Sequence, residues 1–567
     1  MRSPNPRPFV AVMLVALACS APSTRGDGAA FQVTVTKDLA PQPVSGRLIL
    51  GLITPGSTLG ADASPLDAPF WSERQPIFAI DVKNLTPEKP LTVDDAADFA
   101  FAKPSQLKPG TYKAAARLIT THQTSNWRHD PGNLFTQTIT FTIPETGASP
   151  TVAIPLTDKT AARVWPAGAA PTQPQLYEIR SKLLSDFHHA DVSCRAGIVY
   201  PTGFDGTAGR KYAAIYFVPG FGGDHFDAMH LAADRASRAA STEQSPEAAL
   251  DRETFVIVLD PESPNGHTLF ADSDNNGPRG KALVDELIPA LEAKLPLIAK
   301  PEARLLRGHS SGGWSTLWLA LVYPNTFGAT WSTSPDPIDF RSFELVDIYA
   351  DENMYKKDGL VTGVKTGLAR PLDPAGSTAR ADALKHSLEW PSFRDDHGPA
   401  MTVREENAGE RLLGPNRTSG QQWASWQAVW GPRNPDGSIA ALYDDRTGEF
   451  HKDVVAHYQR YDIGYLLRSN PGVLAPLFRD RVRIIVGGAD SFYLEEAVLR
   501  VKNELEELDR KSRAGSGPAK NSPGYITIVP GTNHGTVFDT DAMRHIPVEM
   551  LEHLRRSGII KPEVPAK

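Results

Sequence analysis

Three residues far apart in this chain have the types and settings needed to attack a carbonyl carbon. The first lies in Gly308-His309-Ser310-Ser311-Gly312, a Gly-x-Ser-x-Gly string centred on Ser310. An apolar strand, Ala303 to Leu306, precedes it, and a helical stretch, Gly313 to Tyr323, follows. A sharp strand-to-helix turn at such a string lifts the serine hydroxyl clear of the sheet. Glycines at both flanks leave room where strand and helix approach each other. The helix N-terminus then favours negative charge developing at the same point. Ser311 is the neighbouring alternative, but its frame, His-x-Ser-x-Gly, lacks the first glycine. Ser310 is therefore the expected nucleophile.

A serine hydroxyl attacks poorly until a base takes its proton. Two later strands end in residues that supply the base and its partner. Arg481 to Val486 runs into Gly487-Gly488-Ala489-Asp490, and Tyr525 to Val529 runs into Pro530-Gly531-Thr532-Asn533-His534. His534 is the expected base, and Asp490 the carboxylate that fixes its tautomer and stabilises the imidazolium. In parallel sheets functional residues gather past the carboxyl ends of strands, and all three fall there, in the order Ser, Asp, His. Asp336, after the strand that follows the serine, is the reserve for the acid. An oxyanion would need two N–H donors. The Ser311 amide is one; the other should come from the loop Pro219-Gly220-Phe221-Gly222-Gly223, after the strand Tyr212 to Val218.

The elements that must hold these residues divide the chain in two. At 567 residues it is too long for one core. Residues 30–160 carry short alternating strands, such as Phe31 to Thr36 and Thr136 to Ile143, with Pro/Gly turns between them. This pattern predicts an all-β sandwich domain. It is expected to pack or space rather than to react. His122, Trp127, His129 and Asp130 read as scattered loop residues. Residues 161–180, rich in Ala, Pro and Gln, read as a linker. Residues 181–567 alternate strand and helix, which predicts a mostly parallel sheet with helices on both faces. An insertion, 335–480, interrupts the alternation.

Within the insertion Trp423, Trp426 and Trp430 share one helix face, which either packs the insertion down or reaches the pocket mouth. Asp444 to Tyr461 is expected at the rim. Asn275 and Asn276 are expected at the mouth of the site.

Residues 1–28 read as an export signal: basic Arg2 and Arg7, then an apolar run, Phe9 to Ala18, too short to span a bilayer. Cleavage after Ala18 would release the chain to the periplasm or the exterior. Alternatively Leu17-Ala18-Cys19 acts as a lipoprotein box and a lipidated Cys19 anchors it to a membrane. A net charge of −7 gives no electrostatic case for nucleic acid. No cofactor or metal is expected. Two cysteines, Cys19 and Cys194, cannot form a cysteine-rich metal site. Adjacent His188 and His189, near Asp191, would point to opposite faces of a strand. Asp272 to Asn276 lacks the ligand spacing of a calcium loop.

Several segments together resemble one branch of the α/β-hydrolases, which includes esterase D, the feruloyl esterases and the enterochelin esterases. They are Val218-Pro-Gly-Phe-Gly-Gly223, Asn276-Gly-Pro-Arg-Gly280 with Leu287-Ile-Pro289, Gly308-His-Ser-Ser-Gly-Gly313, Tyr323-Pro-Asn-Thr-Phe327 with Ser334-Pro335, and Gly488-Ala-Asp490. The resemblance covers about 190–335 and 480–550. It implies an α/β-hydrolase catalytic domain and places the second oxyanion N–H on Phe221. Two features depart from the pattern: Pro219 stands where a His precedes the glycine, and the insertion is long. The expected activity is hydrolysis of carboxylic esters, small or carbohydrate-linked, through an acyl-enzyme. A peptidase or acyltransferase would use the same residues, and a binding protein on this scaffold would not need them intact.

Overall fold

The computed structural model describes residues 28–67, 73–166, 173–206, 209–241, 245–357, 388–513 and 524–561. The expected export signal, with Cys19, lies outside the described residues. The catalytic candidates hang on one eight-stranded sheet. Its strands are β1 (Gln175–Arg180), β2 (Ser193–Val199), β3 (Ala213–Val218), β4 (Thr254–Leu259), β5 (Arg304–His309), β6 (Ala329–Thr333), β7 (Val482–Gly487) and β8 (Tyr525–Val529). They lie in the order 1-2-4-3-5-6-7-8. β3 to β8 pair in parallel, while β1/β2 and β2/β4 are antiparallel, so the sheet is mixed.

Apolar side chains fill both faces of this sheet, because successive residues of a strand point opposite ways. Ala214, Tyr216 and Val218 of β3 pack with Leu306 of β5, while Ala213 and Ile215 pack on the other side with Leu305. In β7, Ile484 and Val486 face one core and Ile485 the other. Strands buried on both sides have no polar face to alternate with, which is why they read as continuous apolar runs.

β1 corrects the expected linker. Gln175–Arg180 is an edge strand paired along its whole length with β2. Just upstream, Arg163 forms an ion pair with Asp224, and Trp165 packs on Phe226 with ring centroids 5.1 Å apart. An Ala/Pro/Gln-rich composition marks the absence of a helix; it does not prevent such fixed contacts.

The N-terminal β-rich region has two sheets, a small one around Ala30–Val35 and a larger one around Val44–Ile53, Ile77–Leu85 and Gly110–Ile119. They share one core, with Phe31, Val33 and Ile154 from the small sheet against Leu48, Leu50 and Ala116 from the larger. The opposite face of the larger sheet is covered by the insertion. Ile49, Ile77, Ala115 and Ile119 pack against Leu412 and Leu413. Arg47 Nε donates to Leu412 O at 2.7 Å, and Arg74 pairs with Glu405 at 2.7 Å. The two halves of the chain are thus joined through an apolar contact rather than a tether.

Three helices bear on the site: α1 (Ser311–Val322), α2 (Val403–Leu413) and α3 (Gln422–Trp430). α2 starts with a capping box in which Thr402 and Glu405 satisfy each other's backbone N–H. α3 is buried at nearly every position. Its C-terminal carbonyls are held from outside, since Asn275 Nδ2 donates to Ala428 O at 3.1 Å and Gly431 O at 2.9 Å.

Candidate active site

At the end of β5 the chain reverses into α1 through Ser310, whose backbone has φ 57° and ψ −125°. A non-glycine residue held at positive φ is strained, and the surroundings explain how it is kept there. Ser310 N donates to Thr333 O on β6 at 3.0 Å. A Cβ on Gly308 would lie 2.2 Å from Gly312 O, and one on Gly312 would lie 2.0 Å from Val218 O. Both flanking glycines are therefore required by the close passage of β3, β5 and α1. Ser311 turns inward, fully buried, and donates to Asp336 Oδ2 at 2.7 Å.

His534 and Asp490 meet across the ends of β7 and β8. His534 Nδ1 is 2.8 Å from Asp490 Oδ2. The carboxylate can only accept, so Nδ1 carries the proton and Nε2 is left with a free lone pair. The Phe492 amide donates to Asp490 Oδ1 at 3.0 Å. Burial alone would raise the Asp490 carboxyl. The charge and hydrogen bond of His534 and the Phe492 amide outweigh it and hold Asp490 below its usual value. The loop carrying His534 is set by Asn533, whose Oδ1 accepts from Gly535 N at 3.0 Å and Thr536 N at 2.9 Å.

Ser310, His534, His309 and Phe221 line one cavity of about 660 Å³. The His309 ring lies 4.3 Å from that of His534, centroid to centroid. Burial, and then the neighbouring His534, push His309 down to about 3, so it is a neutral ring beside that of His534. Ser310 Oγ is 3.5 Å from Asp336 Oδ1. Among the described residues Oγ makes no hydrogen bond to His534. Asp336, the reserve acid, makes none to His534 either. It lies beneath Ser310, bonded to Ser311 and to Trp426 Nε1 at 2.7 Å, and burial raises it to about 6.

The loop after β3 brings Gly220 so near that a Cβ there would lie 3.2 Å from His309 O and 3.5 Å from the Ser310 Cβ. The amides of Phe221 and Ser311 have no acceptor among the described residues, as an oxyanion hole requires. His267 holds this loop. Its Nδ1 accepts from Leu269 N at 3.1 Å, so Nε2 bears the proton and donates to Pro219 O at 3.0 Å. Burial pushes His267 down to about 4, which keeps that neutral tautomer.

The rest of the cavity wall decides one expectation and corrects others. Trp426 lines it, whereas Trp423 and Trp430 are buried in the core behind. Asp444 to Tyr461 contributes none of the lining. The N-terminal region does instead: Ser125, Asn126, Arg128 and His129 form part of the wall. Glu262 accepts from Ser125 N at 2.5 Å and Ser125 Oγ at 2.8 Å, and Gln421 Nε2 donates to Ser125 O at 2.8 Å. His129, read as a scattered loop residue, is thus at the site because of contacts nearly 140 and 300 positions away. Asn275 and Asn276 line a separate cavity of about 790 Å³ rather than the mouth. His309, beside Ser310 in the motif, was open to notice in the sequence; His267 and Glu344, also on this wall or behind it, carried no local signal. No group of three or more His, Cys, Asp or Glu among the described residues could hold a metal ion.

Residues 193–436 match the family model described as "Putative esterase". Ser310 lies inside the match, while Asp490 and His534 lie beyond it. No curated protein matches the chain. Among solved structures, a ferulic acid esterase is 11% identical, with 67% of this chain and 98% of that one covered and a TM-score of 0.36. FphF, a fluorophosphonate-binding serine hydrolase of Staphylococcus aureus, is 10% identical over 67% and 99%, with a TM-score of 0.33. An S-formylglutathione hydrolase from Agrobacterium tumefaciens is 12% identical over 67% and 94%, with a TM-score of 0.31.

Proposed function

We propose that this esterase-family chain is an exported serine hydrolase of the α/β-hydrolase fold that cleaves carboxylic esters through Ser310, His534 and Asp490. The observation that carries the reading is the 2.8 Å contact of His534 Nδ1 with buried Asp490, in the same cavity as a strained Ser310. His534 Nε2 takes the Ser310 proton as Oγ bonds to the ester carbonyl carbon. The oxygen becomes an oxyanion facing the amides of Phe221 and Ser311. On collapse the alcohol leaves with the proton from His534, and Ser310 keeps the acyl group. Water, deprotonated by His534, then releases the acid and restores the serine. Export is supported by Arg2, Arg7 and the apolar run Phe9 to Ala18, with lipidation at Cys19 as the anchored variant.

The test is labelling by a fluorophosphonate probe together with release of p-nitrophenol from p-nitrophenyl acetate. Both should occur in the wild type and vanish in Ser310→Ala with the melting temperature unchanged. Undiminished labelling in that variant would place the nucleophile elsewhere.

A further inference from the structure

The cavity that holds Ser310 is lined by acids without matching cations. Asp336, Glu344, Glu406 and Glu410 all face it. Three have evident local duties or neighbours. Asp336 bonds Ser311 and Trp426. Glu410 caps α3, accepting from Trp423 N at 3.0 Å and Ala424 N at 3.1 Å. Glu406 Oε2 has no hydrogen-bond partner among the described residues, but Ser392 and Trp423 lie near enough to lower its carboxyl against burial, a relief that Glu344 lacks.

Glu344 has no such role. It sits on a tight turn closed by Phe343 N to Val346 O at 2.8 Å, with its own φ at 56°. It is 2% exposed, and its Oε2 has no hydrogen-bond partner among the described residues. The permanent cation on the wall, Arg128, is already paired with Asp67. His129 and His309 are held below their usual values by burial and so remain neutral.

A buried carboxyl without a partner is costly whether charged or protonated, because either form has an unmet hydrogen-bonding need. Burial raises Glu344 well above its usual value, and the charges of Glu406, Asp336, Asp490 and Glu410 add to this. A cation entering the cavity would remove both penalties at once: it offers N–H donors to Oε2 and offsets the mutual repulsion of the acids. A sugar hydroxyl would supply only the first.

On the premise that Ser310 is an esterase nucleophile, we propose that Glu344 determines specificity by receiving a primary ammonium or guanidinium group carried by the ester substrate, whose carbonyl lies at Ser310. The substrate class is then a cationic ester rather than a neutral aryl or acetyl ester.

Two esters that differ in the terminal ammonium test this on the full chain: the p-nitrophenyl esters of Nα-benzyloxycarbonyl-lysine and Nα-benzyloxycarbonyl-norleucine. The wild type should favour the lysine ester by about tenfold or more in kcat/KM. In Glu344→Gln the lysine-to-norleucine ratio should fall to about one, mainly through KM for the lysine ester. Equal use of the two esters by the wild type, or an undiminished ratio in Glu344→Gln, overturns the proposal. Should the variant not fold, protection of wild-type Ser310 from the fluorophosphonate decides: Nα-acetyl-lysine amide should protect and Nα-acetyl-norleucine amide should not, and equal protection overturns it. If neither ester nor p-nitrophenyl acetate is cleaved and Ser310 is not labelled, the esterase reading itself fails and this proposal with it.

Discussion

Trp426 Nε1 donates to Asp336 Oδ2 at 2.7 Å, and Asp336 Oδ1 lies 3.5 Å from Ser310 Oγ. A helix of the insertion is therefore tied to the carboxyl directly beneath Ser310, and the insertion takes part in shaping the cavity. The three tryptophans of α3 should separate on this basis. Trp426→Phe keeps most of the ring but removes a bond to an acidic group, an interaction worth about 1.5–3 kcal/mol. It should lower kcat/KM for p-nitrophenyl esters by about tenfold or more. Trp423→Ala leaves a hole in the core and should lower the melting temperature, at a cost of about 3–5 kcal/mol, while KM stays the same. If the two variants behave alike, Trp426 is only packing.

Asp490 and Asp336 are distinguished by what they hold. Asp490→Asn should leave the fold intact yet reduce kcat by about 10⁴, because the amide favours the wrong imidazole tautomer. Asp336→Asn keeps acceptor and shape and should cost far less. Steady-state kinetics on p-nitrophenyl acetate settle the assignment, and a larger loss in Asp336→Asn would exchange the two roles.

The loop of Phe221 is held by His267, which does not line the cavity. His267→Ala removes the donor to Pro219 O and should cost about 10–100-fold in kcat, less than the roughly 10²–10³ lost when an oxyanion donor is removed outright. Because His267 acts through Pro219, KM should change little. His267→Asn offers a shorter donor and should restore part of the rate. A variant with full kcat would show that the loop is held by its other contacts.

Stability should fall as pH rises because of Glu262. Burial, and then the charges of Asp260 and Asp224, push its carboxyl from 4.5 to about 8 against the opposing Ser125 bonds. A carboxyl raised on folding stabilises fully below its unfolded value, and this contribution is lost as pH rises through the folded value. The window is therefore between 4.5 and about 8. Glu262→Gln can still bond Ser125 and should flatten the decline in melting temperature between pH 5 and pH 8 by about 2 °C or more. An unchanged slope would mean that Glu262 is ionised in the folded protein.

Leu412 joins the insertion to the N-terminal sheet. Leu412→Ala should destabilise the whole chain by about 2–5 kcal/mol and raise KM, since the wall formed by Ser125 to His129 rests on that contact. Unfolding followed by tryptophan fluorescence measures the first effect. Normal KM in a destabilised variant would show the two halves to be uncoupled at the site.

The elbow and the pair at the ends of β7 and β8 were legible in the chain because each depends on local rules. Gly308 and Gly312 announce a close approach, and apolar runs ending in Gly-rich loops announce buried strands whose ends gather at one edge. Asp490 and His534 are 44 positions apart, but a parallel sheet makes their strands neighbours and so brings them together. The wall of the cavity follows no such rule. Ser125 reaches the site through Glu262, and Leu412 covers Ile49 and Ile119, through packing between elements hundreds of residues apart. Composition and periodicity show that a surface is apolar, not which other surface will cover it. The same holds for Glu344: a lone glutamate in a tight turn reads as exposed, and only the surrounding layers bury it and leave its carboxyl without a partner.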